Sequence, residues 1–310
     1  MTDLAVTSRR RLRIAEGSPE RLLRVSVFTL ALLAFVVGSG AFVRLTGSGL
    51  GCENWPRCGD LPFPARGYHA FIEFGNRVIA LIGILGTLAT WLVARRTTDL
   101  DRRVVQAALA VFAMTFAQIP LGGITVILEL HPLAVMSHFL LAMVTVAVAV
   151  CVVLEAWSAT RGLGASPAPG WLRWVSVVGI AACAVMVVTG AVATASGPHP
   201  GDSRQVERLG LTITDTVYVH VRATAVFGIG LLIIGAYLWR LRAALPGVVK
   251  LGLVLLGVLC AQMVVGEVQY RNALPWGLVL VHVTLAGLIW ALTVAVAYAT
   301  WRPPAPLAAS

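Results

Sequence analysis

The sequence predicts an all-α integral membrane protein with eight transmembrane helices. The chain has 310 residues, of which 58% are hydrophobic and 12% are charged, and its mean hydropathy is +0.85. Soluble domains average roughly 45–50% apolar and about 25% charged residues, which excludes a soluble globular enzyme. A disordered chain is excluded for the same reason. The apolar runs are about twice as long as a transmembrane β-strand and do not alternate, which excludes a membrane β-barrel.

Eight apolar runs are long enough to cross about 30 Å of hydrocarbon, which needs about 20 residues. They lie near residues 24–44, 70–94, 104–127, 134–155, 172–194, 218–239, 248–268 and 277–300. The runs predict five regions along the chain. These are a cytoplasmic tail (1–23), an N-terminal four-helix half (24–155), a cytoplasmic linker (156–171), a C-terminal four-helix half (172–300) and a Pro/Ala-rich C-terminal tail (301–310). The composition of the last region is typical of a disordered tail.

The basic residues are unevenly divided between the two ends of the predicted helices. Of the 24 Lys and Arg residues, 16 fall on the side of the two termini and six on the opposite side. The positive-inside rule therefore predicts cytoplasmic termini in a multi-pass protein of the cell membrane. The net charge of +10 reflects this topology, and no nucleic-acid partner is expected. Ser8–Leu12 looks like a twin-arginine signal, but no clean cleavage site follows the first apolar run, which favours an uncleaved helix.

Two cysteines, Cys52 and Cys58, share the first outer loop, which also contains Pro56. The outer compartment is oxidising enough for a disulfide, and the loop is short enough to close one. The five residues between the cysteines do not match the usual spacing of a structural zinc pair, which is about two to four residues. The pattern therefore predicts a disulfide, with two free thiols as the alternative.

Polar residues recur between the two halves at a constant spacing. Four matches share an offset of 144 residues, and a looser fifth match has an offset of 150. The pairs are Asn76 and His220, Gln118 and Gln262, Gly122 and Gly266, His138 and His282, and, more loosely, Gly40 and Gly190. This repeat predicts two pseudo-symmetric four-helix bundles related by an axis along the membrane normal.

Two histidines of the second half, His220 and His282, are predicted at similar depth on helices that run in the same direction. Ionisable residues inside spans usually mark function, although a single histidine can simply bond to a neighbouring helix. Two imidazoles at matched depth can hold a haem iron from both faces, whereas zinc needs further ligands that are not evident. The pair therefore predicts a bis-histidine haem site. His69, His131 and His199 are predicted in outer loops as solvated residues.

The first half differs from the second at one position. His138 is retained, but the position equivalent to His220 holds Asn76, which is a poor iron ligand. Glu73, Asn76 and Arg77 share one helix face through their i, i+3 and i+4 spacing. Arg77 can either pair with Glu73 or bind a haem propionate. The asymmetry indicates a reaction site in the first half, supplied by a redox relay in the second.

Two stretches of the chain resemble the haem A synthase family. The first is Gly40-Ala41-Phe42-Val43-Arg44-Leu45-Thr46-Gly47-Ser48-Gly49-Leu50-Gly51-Cys52 with the following Trp55-Pro56-x-Cys58, and the second is Ile72-Glu73-Phe74-Gly75-Asn76-Arg77. The eight spans, the duplication and the histidines near the starts of even-numbered spans agree with the family over nearly the whole chain. There are two departures: family members commonly have histidine in place of Asn76, and some have a second outer-loop cysteine pair that is absent here.

The resemblance implies an oxidoreductase that oxidises the C8 methyl group of haem O to a formyl group, giving haem A for cytochrome oxidase assembly. It implies that His220 and His282 bind the iron of a haem b cofactor and that His138 binds the iron of the substrate haem. Glu73 becomes the carboxylate implicated in the oxidation, and Cys52 and Cys58 become the outer-loop pair.

Asn76 and Arg77 are expected to join Glu73 in a catalytic site near the outer face. Arg77 or Arg222 could anchor propionates through charge-assisted hydrogen bonds. Haem O is the expected substrate, haem O synthase is a candidate for its delivery, and the surrounding partner is the lipid bilayer. The electron donor and the oligomeric state, including a homo-oligomer, are left open by the sequence.

Two other classes of membrane protein are alternatives. A non-catalytic b-type cytochrome, for example one linked to quinone, predicts two stable haems of similar ligation, and Asn76 argues against it. A small-solute transporter predicts helices interrupted near mid-membrane. Pro120 is a single interruption of this kind, and this class leaves the matched histidines unexplained.

Overall fold

The computed structural model of the chain describes residues 17–52, 54–59, 63–64, 67–204 and 206–308. Within these ranges there are no strands, and eight helices are each long and apolar enough to cross a membrane. They are α1 (Pro19–Leu45), α2 (Tyr68–Ala94), α3 (Arg102–Ile127), α4 (Pro132–Arg161), α5 (Gly170–Ser196), α6 (Ile213–Arg240), α7 (Pro246–Arg271) and α8 (Trp276–Trp301). The predicted fold class is therefore confirmed. The pseudo-symmetry of the two halves and the orientation of the termini remain predictions, and Ser8–Leu12 lies outside the described residues.

The helices extend beyond the predicted apolar runs because capping groups, rather than hydrophobicity, determine where they end. Ser18 accepts a hydrogen bond from the backbone of Arg21, and Pro19 follows as the first residue of α1, which is a common start for a helix. Gly162 has a φ of +86° and ends α4, since glycine adopts this conformation without steric cost. Only residues 162–169 of the predicted linker therefore lie between α4 and α5.

Each half forms a ring of four helices. In the first half, α1 and α3 each pack against both α2 and α4, and in the second half α5 and α7 each pack against both α6 and α8. The two rings meet where α8 packs against α1 and α4, and where α4 packs against α5. The same neighbour relations thus occur in both halves, which supports the predicted duplication.

Contacts between the halves are largely buried, whereas the periphery exposes apolar side chains. Trp290 of α8 donates a hydrogen bond from Nε1 to the carbonyl oxygen of Met143 on α4, at 2.7 Å. Phe28, Ile233 and Val264 are large apolar residues that remain exposed. Such a surface is suited to lipid, where helix packing does not depend on hiding apolar groups from water. The chain is a multi-pass membrane protein.

The prediction of a disordered C-terminal tail is wrong for the residues up to 308. Ala305–Leu307 form a short 3₁₀ helix, and Leu307 is buried. The tail packs against Gly247, where an added Cβ would lie 2.6 Å from Leu307. The backbone of Gly164 also donates to the carbonyl of Pro303 at 2.8 Å. Composition alone did not reveal this packing because it depends on a surface formed by the start of α7 and the α4–α5 connection.

The end of the bundle that carries the histidines is named the outer end here, after its predicted orientation. At this end the loops of the two halves are joined, since the backbone of Gly49 donates to the carbonyl of Gly201 at 2.8 Å. Arg44 of α1 is partly buried and donates to the carbonyl oxygens of Thr194 and His199, at 2.9 and 3.0 Å. A cation is favourable at the C-terminal end of a helix such as α5, so Arg44 links the two halves.

Candidate functional site

Three histidines, His138, His220 and His282, lie at similar depth below the outer end, and so does Asn76. His138 and His282 are the seventh residues of α4 and α8, His220 is the eighth residue of α6, and Asn76 is the ninth residue of α2. At about 1.5 Å per residue, their positions along the helices differ by only a few ångströms. The even-numbered helices therefore present four equivalent positions at one level of the bundle.

In the second half, the rings of His220 and His282 face each other. Their centres are 6.3 Å apart and their planes are inclined by 72°. An imidazole nitrogen binds a metal at about 2.0–2.1 Å and lies about 1 Å from the centre of its own ring, so two rings that share one metal have centres roughly 6 Å apart. The observed separation matches that requirement.

The rings of His138, His220 and His282 each pack against a glycine of the preceding helix. A Cβ added to the glycine would lie 3.0–3.4 Å from Cε1 of the imidazole, which is a tight contact. The pairs are Gly122 of α3 with His138, Gly190 of α5 with His220, and Gly266 of α7 with His282. Glycine at these positions therefore lets each ring lie directly on the neighbouring helix, which limits the orientations open to it.

A glutamine supports the backbone of one histidine in each half. The Gln118 side chain donates from Nε2 to the carbonyl oxygen of His138 at 3.2 Å, and Gln262 makes the same bond to His282 at 2.9 Å. Both glutamines belong to the repeat, but their spacing did not predict contacts with the histidines. Their equal contacts show that the matched residues occupy matched positions.

A hydroxyl group contacts the other site position in each half. In the second half, Thr189 Oγ1 lies 3.2 Å from Nδ1 of His220, and in the first half Ser39 Oγ donates to Oδ1 of Asn76 at 2.7 Å. Ser39 and Thr189 directly precede Gly40 and Gly190, the glycines that the repeat matched. Asn76 therefore occupies the position that His220 occupies in the second half.

The donor atoms of the second half fit a haem iron. Nδ1 of His282 is buried without a hydrogen-bond partner in the described part of the chain, and Nδ1 of His220 faces Thr189. Nε2 of His220 is thus available to a metal, and the unpartnered His282 ring offers a nitrogen as well. Among the described residues, no group of three or more His, Cys, Asp or Glu could hold a metal ion. Axial ligation of a haem by two histidines is the arrangement that these residues fit.

The predicted disulfide between Cys52 and Cys58 is confirmed, and it closes the outer loop against α2. The two sulfur atoms are 1.99 Å apart, and each lies 4.0 Å from the carbonyl oxygen of Ala70 in the first turn of α2. Both cysteines are buried. The loop is therefore attached to the helix that carries Glu73, Asn76 and Arg77.

Glu73 and Arg77 connect this loop to α2. Glu73 is buried; its Oε2 accepts from the backbone N–H of Cys52 at 2.8 Å, and its Oε1 accepts from Nη2 of Arg77 at 2.5 Å. Nη1 of Arg77 donates to the carbonyl oxygens of Pro56 and Arg57, at 3.1 and 2.9 Å. Of the two alternatives for Arg77, the ion pair with Glu73 is present in the structure. Binding of a propionate by Arg77 remains a prediction.

Trp55 belongs to the motif that resembles the family, but sequence reasoning missed its contact with α3. A Cβ added to Gly123 of α3 would lie 2.8 Å from the Trp55 ring, so the ring rests directly on the helix. The preceding residue, Gly122, is the one that contacts His138. The adjacent glycines Gly122 and Gly123 were the signal that could have indicated two close approaches. The disulfide loop therefore reaches the helix face next to His138.

Arg222 and the three other histidines each make local contacts of their own. Arg222 is exposed, and its guanidinium carbon lies 3.0 Å from the centre of the Tyr218 ring; its role toward a propionate remains a prediction. His69 was predicted in a loop but is the second residue of α2, with Nδ1 2.8 Å from Ser48 Oγ. His131 is the N-cap of α4, and His199 Nε2 lies 2.7 Å from the carbonyl oxygen of Leu274.

A cavity of about 240 Å³ lies at the opposite end of the bundle, between α3, α4 and α8. Its lining includes Glu155, Tyr298 and Arg302. Glu155 accepts hydrogen bonds from Tyr298 at 2.6 Å and from Nε of Arg302 at 2.7 Å. None of the histidines lines this cavity, so it is separate from the candidate site.

Comparison with known proteins identifies the family. The sequence model of the family COX15-CtaA, described as cytochrome oxidase assembly protein, matches residues 23–198. A protein named Heme A synthase from Shewanella oneidensis is 26% identical over 331 residues, covering 91% of this chain and 96% of that protein. A protein of the same name from Symbiobacterium thermophilum is 33% identical over 124 residues, covering 38% of this chain and 40% of that protein. Another, from Bacillus pumilus, is 27% identical over 139 residues, covering 44% of this chain and 45% of that protein. The family match spans more than half of the chain and includes Glu73, His138 and the disulfide loop. The resemblance drawn from the motifs is thereby confirmed, and the chain belongs to the haem A synthase family of cytochrome oxidase assembly proteins.

Proposed function

We propose that this protein is a haem A synthase, a membrane oxidoreductase that oxidises the C8 methyl group of haem O to the formyl group of haem A. The observation that carries this proposal is the similarity, over 91% of the chain, to a relative named Heme A synthase. The paired rings of His220 and His282, with their equivalents in the first half, support it. The product serves cytochrome oxidase assembly.

The second half, residues 172–300, holds a haem b. His220 and His282 would hold its iron, and Thr189 accepts a hydrogen bond from Nδ1 of His220, which orients that ring. Gly190 and Gly266 let the two rings lie against α5 and α7. A bound haem b supplies one-electron transfer, which the protein tunes through its axial ligands and its burial.

The first half, residues 24–155, holds the substrate. His138 binds the iron of haem O, with its backbone supported by Gln118 and its ring resting on Gly122. Oxidation of a methyl carbon removes hydrogen, so the site needs a group that accepts protons. Glu73 is the buried carboxylate at this position, and its Oε1 and Oε2 are the atoms that would hold a proton. Arg77 positions that carboxylate together with the backbone of Cys52.

The wider setting follows the same proposal. Both termini are cytoplasmic, the linker over residues 156–171 is on the cytoplasmic side, and the reaction site faces the outer side of the cell membrane. Arg77 and Arg222 are the arginines that would bind the propionates, and Asn76 would line the substrate site. Haem O is the substrate, with haem O synthase as the candidate source. Oxidation of the methyl group requires an oxidant as well as a membrane electron donor, and the proposal permits a homo-oligomer.

The test is haem analysis in a host that makes haem O but not haem A. Expression of this chain should produce haem A in the extracted haems, identified by its mass. His138→Ala should abolish haem A, whereas His131→Asn should not, because asparagine can replace histidine as the cap of α4. An inserted protein that yields no haem A in the presence of haem O would overturn the proposal. Two stable haems with unchanged haem O would instead indicate a b-type cytochrome.

A further inference from the structure

The first half contains an unfilled space where the second half contains an imidazole ring. A Cβ added to Gly190 would lie 3.0 Å from the ring of His220. A Cβ added to Gly40, the equivalent residue of α1, would meet no atom within 4 Å. The difference arises because Asn76 is shorter than histidine and is drawn toward Ser39 by the 2.7 Å hydrogen bond. Space is therefore left between α1 and α2 at the level of the histidines.

The side chain beside this space presents a hydrogen-bond donor. Oδ1 of Asn76 accepts a hydrogen bond from Ser39, which leaves the amide nitrogen, Nδ2, for other partners. Nδ2 makes no hydrogen bond to the described residues, and Asn76 is only partly buried. An amide donor next to an unfilled position is suited to a small molecule that accepts a hydrogen bond.

The other imidazoles near the outer end are engaged elsewhere. His69 contacts Ser48, and His199 contacts the carbonyl oxygen of Leu274. Nδ1 of His131 accepts a hydrogen bond from the backbone of Leu133 at 3.3 Å. In the part of the chain that is described, no second histidine therefore occupies the position across from His138.

We propose that Asn76 and Gly40 form a binding site for a diatomic ligand of the dioxygen class, across from His138 on the first-half haem. The matched pair in the second half supports this position, since His220 and His282 face each other with ring centres 6.3 Å apart. Asn76 and His138 are their equivalents. Nδ2 of Asn76 donates a hydrogen bond to the bound ligand, and Gly40 leaves room for it. The inference rests on the proposed function, because it requires a haem on His138.

The experiment uses the purified full-length protein with its bound haems, reduced and titrated with carbon monoxide. Carbon monoxide should bind to the first-half haem and not to the second-half haem, as read from absorption spectra. Asn76→His should lower the apparent affinity at the first haem by roughly tenfold or more, because the new imidazole must dissociate before the ligand binds. His220→Asn is the matched exchange, and it should create carbon monoxide binding in the second half.

A second variant does not depend on a new iron ligand. Gly40→Leu fills the space while keeping Asn76, so it should also weaken carbon monoxide binding by roughly tenfold while the haem remains bound. Gly230→Leu is its control, because Gly230 likewise has no neighbouring atom within 4 Å but lies deeper, on α6. The control should leave carbon monoxide binding unchanged.

The outcomes separate this inference from the function on which it rests. If His138→Ala retains as much haem as the unaltered protein, the first half holds no haem. That result would overturn both the inference and the proposed function. A first-half haem that binds no carbon monoxide in the unaltered protein would overturn the inference alone. Carbon monoxide binding that persists both in Asn76→His and in His138→Ala would place the ligand in the second half and would also overturn it.

Discussion

The exchange Glu73→Gln tests whether the buried carboxylate does more than attach the outer loop. Glu73 accepts one hydrogen bond from the backbone of Cys52 at 2.8 Å and one from Arg77 at 2.5 Å. Glutamine has nearly the same shape, and its single oxygen can still accept from Cys52. The NH2 group of glutamine cannot accept a hydrogen bond from Arg77. Glutamine also lacks the charge and the proton-transfer capacity of the carboxylate.

The structural cost of this exchange follows from the partners that Arg77 retains. A hydrogen bond to a charged group contributes roughly 1.5–3 kcal/mol, and a buried charge that loses its only partner costs about 3–5 kcal/mol. Arg77 keeps the carbonyl oxygens of Pro56 and Arg57, and its side chain is 22% exposed. We therefore expect a loss of about 1–2 kcal/mol, well below the roughly 5–15 kcal/mol that separates native from unfolded proteins.

The expected loss of catalysis is larger. A positioned general acid or base contributes about 10²- to 10⁴-fold to rate, so Glu73→Gln should lower haem A formation by roughly a hundredfold or more and leave haem O to accumulate. The assay is quantification of both haems extracted from membranes, together with the absorption of the second-half haem, which should be unchanged. Glu155→Gln is the control, because Glu155 is a largely buried carboxylate that bonds to an arginine at the opposite end of the bundle.

Normal haem A formation by Glu73→Gln would refute the catalytic role. If the variant instead disappeared from the membrane, while Glu155→Gln persisted, the ion pair with Arg77 would be the main contribution of Glu73. Either result would contradict the expected small structural and large catalytic effect.

Three further predictions address the second-half haem, the loop and the disulfide. Alanine at His220 or His282 should remove a low-spin haem b spectrum while the protein remains inserted, because each ring supplies one axial ligand. Gly123→Ala should destabilise the protein at the outer loop by about 1–3 kcal/mol, the usual cost of overpacking. The reason is that the added Cβ would lie 2.8 Å from the Trp55 ring. Thermal unfolding of the purified protein measures this loss of stability. Cys52 and Cys58 should react with an impermeant thiol reagent in intact cells only after a reductant is added.

Each of these predictions has its own control. An unchanged low-spin spectrum in both histidine variants would contradict the haem b assignment, and His131→Asn should keep the spectrum. Gly252→Ala should not destabilise the protein, because no atom lies within 4 Å of its added Cβ and alanine favours helix by about 1 kcal/mol. Equal stability of Gly123→Ala and the native chain would contradict the packing argument. Labelling of the cysteines only after the membrane is opened would contradict the predicted orientation.

The sequence by itself determined the eight helices, and it predicted the equivalence of the two halves. In a bilayer every backbone polar group must be satisfied within the spanning segment, so a run of about 20 apolar residues is sufficient to predict a helix. The constant offset of 144 residues then identified Asn76 as the counterpart of His220. The structure agrees with this equivalence through the contacts of Ser39 and Thr189. The short Cys52–Cys58 loop was equally local, and its disulfide could be predicted from spacing and compartment.

Only the tertiary structure decided which groups contact these residues. Arg77 reaches the carbonyl oxygens of the disulfide loop, Trp55 lies on Gly123, and the C-terminal tail packs on Gly247 instead of remaining disordered. Each of these contacts joins segments that are far apart in the sequence or connected by an irregular loop. Hydropathy and spacing describe a helix and its faces, but neither specifies the distance between two helices or the path of a loop. The unfilled space beside Gly40 is of the same kind, because it depends on how α1 and α2 pack around Asn76.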